Sequence, residues 1–286
     1  MRTSTDHEMR DMNVNECPIF VSSSDAYSDL WHPFFALLKR EWPEYRGRIY
    51  LNTQGKQFAF PGLDIVCTNV PGRMYFGKTF KAGLTKVDGE ALLLIMIDYL
   101  FESRVDVVQL QRLYDAFLVN DLDSLTLARQ NSPGALPVPG NPECRQAVAP
   151  GGEVAFSFQT AFWKKTSLAR MIADWETPWS AEFYGCRRFN ILHPQIWFLA
   201  NGVKKPIPYD EAGVLHGGGR WLERAVAKID FSGIDFDLEA SRKRRGVYVE
   251  RHLPRPIQIA INLRMIHRRL LSRWSLFRLR IRRKRG

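Results

Sequence analysis

Seven residues in a row, Ala91–Ile97, are apolar, and Asp98 closes the run. An unbroken apolar stretch of this length, with no polar alternation, suits a strand covered on both faces, as in a parallel sheet. Its carboxylate then stands at the carboxyl end of that strand. Pro18–Ser24 is a second short apolar stretch, running into small hydroxyl residues, and Arg48–Asn52 and Ile65–Thr68 read as further strands. Between them Phe34, Phe35, Leu37, Leu38 and Trp42 recur at helical spacing, with Pro33 as a first-turn residue and Pro43 as the stop. One helix among several strands within a hundred residues implies an α/β domain with a largely parallel sheet flanked by helices.

Ligands of such sheets bind beyond the carboxyl ends of the strands. Ser22, Ser23, Ser24 and Asp25 should therefore share a rim with Asp98, although they lie far apart in the chain. A carboxylate at that place can hold a divalent cation or a ribose hydroxyl, or it can cap the next segment. The Ser22–Asp25 hydroxyls and amides can meet a nucleotide, or form a simple turn or N-cap.

Farther along, residues 131–152 are rich in Pro and Gly and read as a loop, either a lid or a plain surface insertion. Glu153–Gln159 looks like a strand, Ser167–Trp175 and Trp179–Arg188 like short helices, and Ile191–Leu199 like a return to the sheet. The first sixteen residues are polar and read as a lead-in with no signal-peptide pattern. These features divide the chain into residues 1–16, a domain over 17–258 and a tail over 259–286.

Composition adds the exclusions. At 45% hydrophobic and 25% charged residues, the 286-residue chain is neither disordered, collagen-like nor a coiled coil. No apolar run approaches the ~18–20 residues of a membrane span. Cys17, Cys67, Cys144 and Cys186 match no zinc spacing and suit a reducing cytoplasm. The net charge of +11 is local. Ten of the 41 Lys and Arg residues fall between Arg264 and Gly286, where there is no Asp or Glu. The remainder is close to neutral.

In that tail Ile259, Leu263, Ile266, Leu270, Trp274, Phe277 and Ile281 follow one another at three or four residues, so they form one helical stripe with arginines on its flanks. A basic amphipathic helix of this kind fits an anionic membrane surface, unless the stripe packs on the body of the protein. One terminal cluster is not a folded recognition module, so nucleic acid is not an expected partner.

Four segments together carry a resemblance: Phe20–Phe35 with Trp42-Pro43, Leu92–Phe101, Phe156–Lys164 and Pro178–Gly185. In this order, over roughly residues 18–225, they resemble bacterial nucleotide-sugar-dependent glycosyltransferases of the GT-A type. Such enzymes serve capsule, exopolysaccharide and lipopolysaccharide assembly. The resemblance implies a GT-A-like fold, a nucleotide-sugar donor, and a lipid-linked or polysaccharide acceptor at the cytoplasmic face of a bacterial inner membrane. It also implies that Asp98 does the work of the family's DxD motif, on the donor and on a Mg²⁺ or Mn²⁺ ion. Here Ile97 stands where a second carboxylate would be, which puts the metal in question. A catalytically silent scaffold of the same fold is the alternative.

An inverting transfer also needs a carboxylate to take the acceptor's proton. Glu182, three residues after Trp179, is the candidate; a negative charge favoured by a helix N-terminus is its structural alternative. Gln159, Trp163 and Trp179 are candidates for sugar contacts, against the commoner fate of tryptophan in a core. His216-Gly-Gly-Gly-Arg220 reads as a loop over the diphosphate, with His216 and Arg220 meeting its charge.

Overall fold

The computed structural model describes residues 12–72, 74–130, 132, 134–149, 155–249 and 255–285, and within the last helix the side chains of 266–283. In chain order the strands are β1 (Ile19–Ser22), β2 (Arg48–Leu51), β3 (Asp64–Cys67), β4 (Ala91–Met96), β5 (Ser124–Arg129), β6 (Leu136–Val138), β7 (Asn141–Gln146), β8 (Ala161–Lys164) and β9 (Ile196–Leu199), with the short pair β10 (Leu215–His216) and β11 (Arg220–Trp221). The helices are α1 (Ser28–Glu41), α2 (Phe76–Leu84), α3 (Val107–Val119), α4 (Lys165–Arg170), α5 (Pro178–Leu192), α6 (Glu223–Val226), α7 (Leu238–Arg245) and α8 (Arg255–Arg285).

Nine strands form one sheet in the order β3-β2-β1-β4-β8-β5-β9-β7-β6. The pairings β1–β2, β1–β4, β2–β3 and β5–β9 are parallel. Strand β8 runs against both its neighbours, and β7 against β9 and β6. Every strand except β7 and β8 therefore points the same way. The expected α/β architecture, a mostly parallel sheet flanked by helices with a C-terminal helix, is the one the chain adopts.

The unbroken apolar run in β4 has its reason in the packing. Leu93 and Ile95 enter one core and Leu92 and Leu94 the other, because successive side chains leave a strand on opposite faces. The first core is closed by Leu30, Phe34, Leu37 and Leu38 of α1 and Leu110 and Leu113 of α3. The second is closed by Phe80 of α2, Leu168 of α4 and Ala181 and Phe189 of α5.

Several local expectations are corrected. Pro33 lies inside α1, whose start at Ser28 follows a 3-10 turn at Asp25–Tyr27. The Pro/Gly-rich stretch holds the edge hairpin β6–β7 rather than a loop throughout. Of Glu153–Gln159, the residues from Ala155 onward are irregular, and the strand is Ala161–Lys164, inserted antiparallel between β4 and β5. Helix α5 runs on to Leu192, so the return strand begins only at Ile196. Its start is set by Thr177, whose side chain accepts from the Ser180 amide in a capping box, with Pro178 at the first helical position.

Helix α8 lies against α5 through Leu276 and Leu279, which pack on Tyr184 and Ile191. Ser272, 1% exposed, keys it in place: its hydroxyl donates to the buried Glu176 carboxylate at 2.8 Å and accepts from Trp175 Nε1 at 2.9 Å. Glu176 is itself paired with the buried Arg188, whose Nη1 also donates to the Met171 carbonyl. The helix docks on the body, but not by the expected stripe. Ile266, Leu270, Trp274 and Phe277 are exposed, and Ile281 is half-buried. Ile259 and Leu263 lie outside the described side chains. No helix among the described residues is long and apolar enough to cross a membrane.

Candidate functional site

The register of β1 against β4 aligns Ser22 with Met96, and the Ile97 amide donates to the Ser22 carbonyl at 3.1 Å. Asp98 and Ser24 therefore leave the sheet side by side at its carboxyl edge. A cavity of about 560 Å³ opens there. Ser22, Ser23, Ser24, Asp98, Gln159, Trp179, Glu182 and His216 all line it, so most of the residues singled out from the sequence meet in one place.

Asp98 is partly buried, and loss of water raises its carboxyl to about 6. Its backbone carbonyl accepts from the Val214 amide at 2.9 Å, which ties the strand end to the Asp210–Val214 turn. Gly213 in that turn has φ +72°, and a Cβ there would stand 2.5 Å from Asp98 Oδ2. Only glycine lets the turn close on the carboxylate.

Glu182 projects from the second turn of α5, not from its first, so the helix dipole does not explain its position. Its Oε1 accepts from the Phe158 amide at 2.8 Å. Burial raises its pKa, and that amide offsets only part of the rise. Phe158 belongs to the irregular stretch before β8, which thus delivers a backbone amide to the carboxylate.

The triple glycine is the turn of a hairpin. His216 pairs with Arg220 across β10–β11, and Gly217, Gly218 and Gly219 all have positive φ, a conformation that β-carbons resist. Arg245 fastens this hairpin to the start of α1: it donates to the carbonyls of Gly219 and Ala26 and pairs with Asp29. The His216 ring rests edge-on against Tyr248, centroids 4.6 Å apart.

Three expectations fail on position. Trp163 is a core residue of β8, packed against Phe156 and away from the cavity. The Asp25 carboxylate accepts from the amides of Gln54, Gly55 and Lys56; burial alone would raise its pKa, but these amides and Lys56 outweigh that and lower it. It holds the loop after β2 and does not face the cavity. Arg220 is exposed on β11 and is not among the lining residues. Gln159 does line the cavity, yet its amide is committed to the wall: Nε2 donates to Tyr99 Oη and the Glu211 carbonyl, and Oε1 accepts from Tyr209 Oη.

Sequence reasoning missed Tyr27, Asn52, Gln54, Thr79 and Glu211, which also line the cavity. Tyr27 lies within reach of Asp98's charge, and burial first and then that charge raise its pKa. Its place next to the hydroxyl run was the one available signal. Glu211 comes from a segment with no sequence pattern, and its carboxylate pairs with Lys205 at 3.4 Å. Among the described residues no three His, Cys, Asp or Glu side chains are grouped as a metal shell. A cation here would have Asp98 as its protein ligand and take its other oxygens from water and ligand phosphates, which is how Mg²⁺ is commonly held.

No family model matches the chain, and no curated protein matches it. Solved structures with a related chain path do exist. Residues 1–349 of S. aureus TarS align at 12% identity over 66% of this chain and 59% of that one, with a TM-score of 0.42. The bifunctional IspDF from Campylobacter jejuni aligns at 13% over 75% and 54%, with a TM-score of 0.38. A UTP-bound UGPase from Acinetobacter baumannii aligns at 9% over 66% and 86%, with a TM-score of 0.41. The match thus spans less than two thirds of the first two relatives. At these identities and scores the likeness carries nothing about chemistry.

Proposed function

We propose that the chain is a nucleotide-sugar-dependent glycosyltransferase that inverts configuration at the transferred sugar. One observation supports this above the others: Asp98 and Glu182, both with raised pKa, line a single cavity at the carboxyl ends of the strands, edged by hydroxyls and a glycine hairpin. Asp98 takes the donor, through a ribose hydroxyl or through a divalent cation on its diphosphate. That Mg²⁺ or Mn²⁺, when bound, neutralises charge on the departing diphosphate. The Ser24 hydroxyl and His216 are the other donor contacts.

Glu182 acts as general base. The acceptor oxygen forms its bond to the anomeric carbon while the bond to the diphosphate oxygen breaks. The acceptor's proton passes to Glu182, and the nucleoside diphosphate leaves with the electron pair. A raised pKa makes the carboxylate a stronger base for this step. Trp179, 69% exposed at the mouth, offers a flat face to an acceptor sugar. Bacterial surface-glycan synthesis, with a lipid-linked or polysaccharide acceptor at the cytoplasmic face of the inner membrane, is the setting that the sequence resemblance supports.

A thermal-shift screen over UDP-, GDP- and dTDP-sugars, with and without Mg²⁺, tests this directly. One nucleotide class should raise Tm and be slowly hydrolysed, and Asp98→Asn should abolish both effects. Absence of any nucleotide shift would overturn the reading. A shift without turnover, even with acceptor glycans supplied, would favour a silent scaffold.

A further inference from the structure

Helix α8 has two faces, and only one is covered. At 3.6 residues per turn, Ser272, Leu276, Leu279 and Arg283 share the side against the body, where Arg283 Nη1 also donates to the Ile191 carbonyl at 2.7 Å. Ile266, Leu270, Trp274 and Phe277 fall within about 80° of one another on nearly the opposite side. Leu270 is 59% exposed, Trp274 54% and Phe277 59%. Arg278 lies over the Trp274 ring, 4.5 Å from its centroid, with its charge at the edge of this apolar strip.

The strip does not stop at α8. Between α8 and α5 a groove of about 240 Å³ is lined by Phe277, Phe183, Arg187, Arg273 and Arg280, with Tyr184 and Leu276 among its walls. Arg187 stacks on Phe183 at 3.5 Å. None of these three arginines has a carboxylate partner among the described residues. One turn before the half-exposed Phe183, on the same helix, stands Trp179 at the mouth of the candidate site.

We infer that the exposed face of α8, continued across the α5–α8 groove, is a docking surface for an anionic lipid bilayer. Leu270, Trp274 and Phe277 enter the boundary between headgroups and acyl chains, and Arg187, Arg273 and Arg280 meet lipid phosphates in and beside the groove. Charge complementarity selects this occupant: an apolar strip bordered on its groove side by three arginines with no carboxylate partner among the described residues, and on its other edge by Arg278, matches a layer of phosphates over hydrocarbon. A protein partner's apolar patch would leave those guanidinium groups unmatched. Because α5 carries Phe183 and Arg187 towards the bilayer and Trp179 and Glu182 towards the cavity, docking brings the site mouth to the membrane surface. Delivery of a lipid-linked acceptor to the mouth rests on the transferase reading; lipid binding itself does not.

Flotation of the full chain with phosphatidylcholine vesicles, with and without 30% phosphatidylglycerol, reads this out. Binding should require phosphatidylglycerol and weaken with salt without vanishing. Arg273→Glu with Arg280→Glu should cut the partition coefficient by about 30-fold or more. Trp274→Ser with Phe277→Ser should lower binding at high salt at least tenfold. Both pairs lie on the surface, and an unchanged Tm and an unchanged nucleotide shift confirm that each variant is folded with its site intact. A blue shift of fluorescence on vesicle addition that is lost in Trp274→Phe would identify the inserted ring. Equal binding to neutral vesicles, no binding, or binding unaffected by both pairs overturns the proposal. So does a dimer, or a nucleic-acid complex, that those substitutions dissolve. Vesicle binding with no nucleotide response would leave this inference standing and remove the transferase reading alone.

Discussion

The cavity at the strand ends and the outer face of α5–α8 are neighbours with opposite character. The cavity is concave, lined by Asp98, Glu182 and Glu211, and edged by Gly217, Gly218 and Gly219. The outer face is rich in arginine and aromatic side chains, and among the described residues no acidic one lines its groove. Helix α5 belongs to both, with Glu182 on one side and Phe183 and Arg187 on the other. The difference teaches how one helix can meet two surroundings: its Glu182 side is buried, and that burial raises the carboxyl's pKa, whereas its Phe183 side is open to solvent.

The largest effects should separate the two regions completely. Glu182→Gln keeps the shape and the bond to the Phe158 amide but removes the base, so turnover should fall by ~10²–10⁴-fold with donor binding nearly unchanged. Asp98→Asn should lose turnover by orders of magnitude through the donor instead, with a matching loss of the nucleotide-induced Tm shift. Steady-state rates and donor affinities of the two variants check the split. Neither should alter vesicle binding, and a joint loss would break the comparison. A product with retained anomeric configuration would remove the role assigned to Glu182.

The next effect is one of stability. Loss of water holds the Asp98 carboxyl at about 6 in the folded chain, above the ordinary aspartate value of 3.8. Stability from this group is therefore fully present below about pH 4 and is lost as pH rises through about 6. Asp98→Asn never acquires the charge, so at pH 7.5 the variant should be more stable than the parent by about 2–3 kcal/mol. The advantage should disappear near pH 4. Urea melts of both proteins across pH 4–8 measure it, and an advantage independent of pH would show that burial of the charge is not the cause. A variant that is less active and more stable marks a residue kept for a ligand rather than for the fold.

The smallest effect concerns the joint between the regions. Ser272→Ala leaves Trp175 Nε1 without its acceptor and Glu176 without one of its donors, while Arg188 still neutralises the carboxylate. The cost should be about 1–2 kcal/mol, read as a lower Tm and faster trypsin cleavage within α8. Donor binding should stay the same. A variant that also lost the nucleotide shift would show that α8 supports the cavity and not only the outer face.

Much of this was legible in the chain. The unbroken run ending at Asp98, the hydroxyl cluster after β1 and the helical spacing of the tail residues are local features, and the structure has a buried strand, a strand end and a helix at those places. The edge hairpin in residues 131–152 and the shift of the expected strand to Ala161–Lys164 were not legible, because both depend on pairing with strands distant in sequence. Trp163 shows the limit most clearly. Its flat ring makes it a candidate for a sugar contact, yet its place in β8 turns it into the core beside Phe156.

The sequence alone determined which residues can be buried, where charge collects, and that a carboxylate ends the central strand, since these depend only on side-chain chemistry and near neighbours. Only the tertiary structure decided that Glu182 shares a cavity with Asp98, that Gln159 is consumed by three wall contacts while Asp25 is tied to a loop, and that α8 docks by Ser272 and Leu276 rather than by its Trp274–Phe277 stripe. The physical reason is the same in each case. A helix or strand offers two faces by its own period, but which face is covered depends on the complementary surface opposite it, and for α8 the buried Glu176 and Trp175 offered a partner to a hydroxyl.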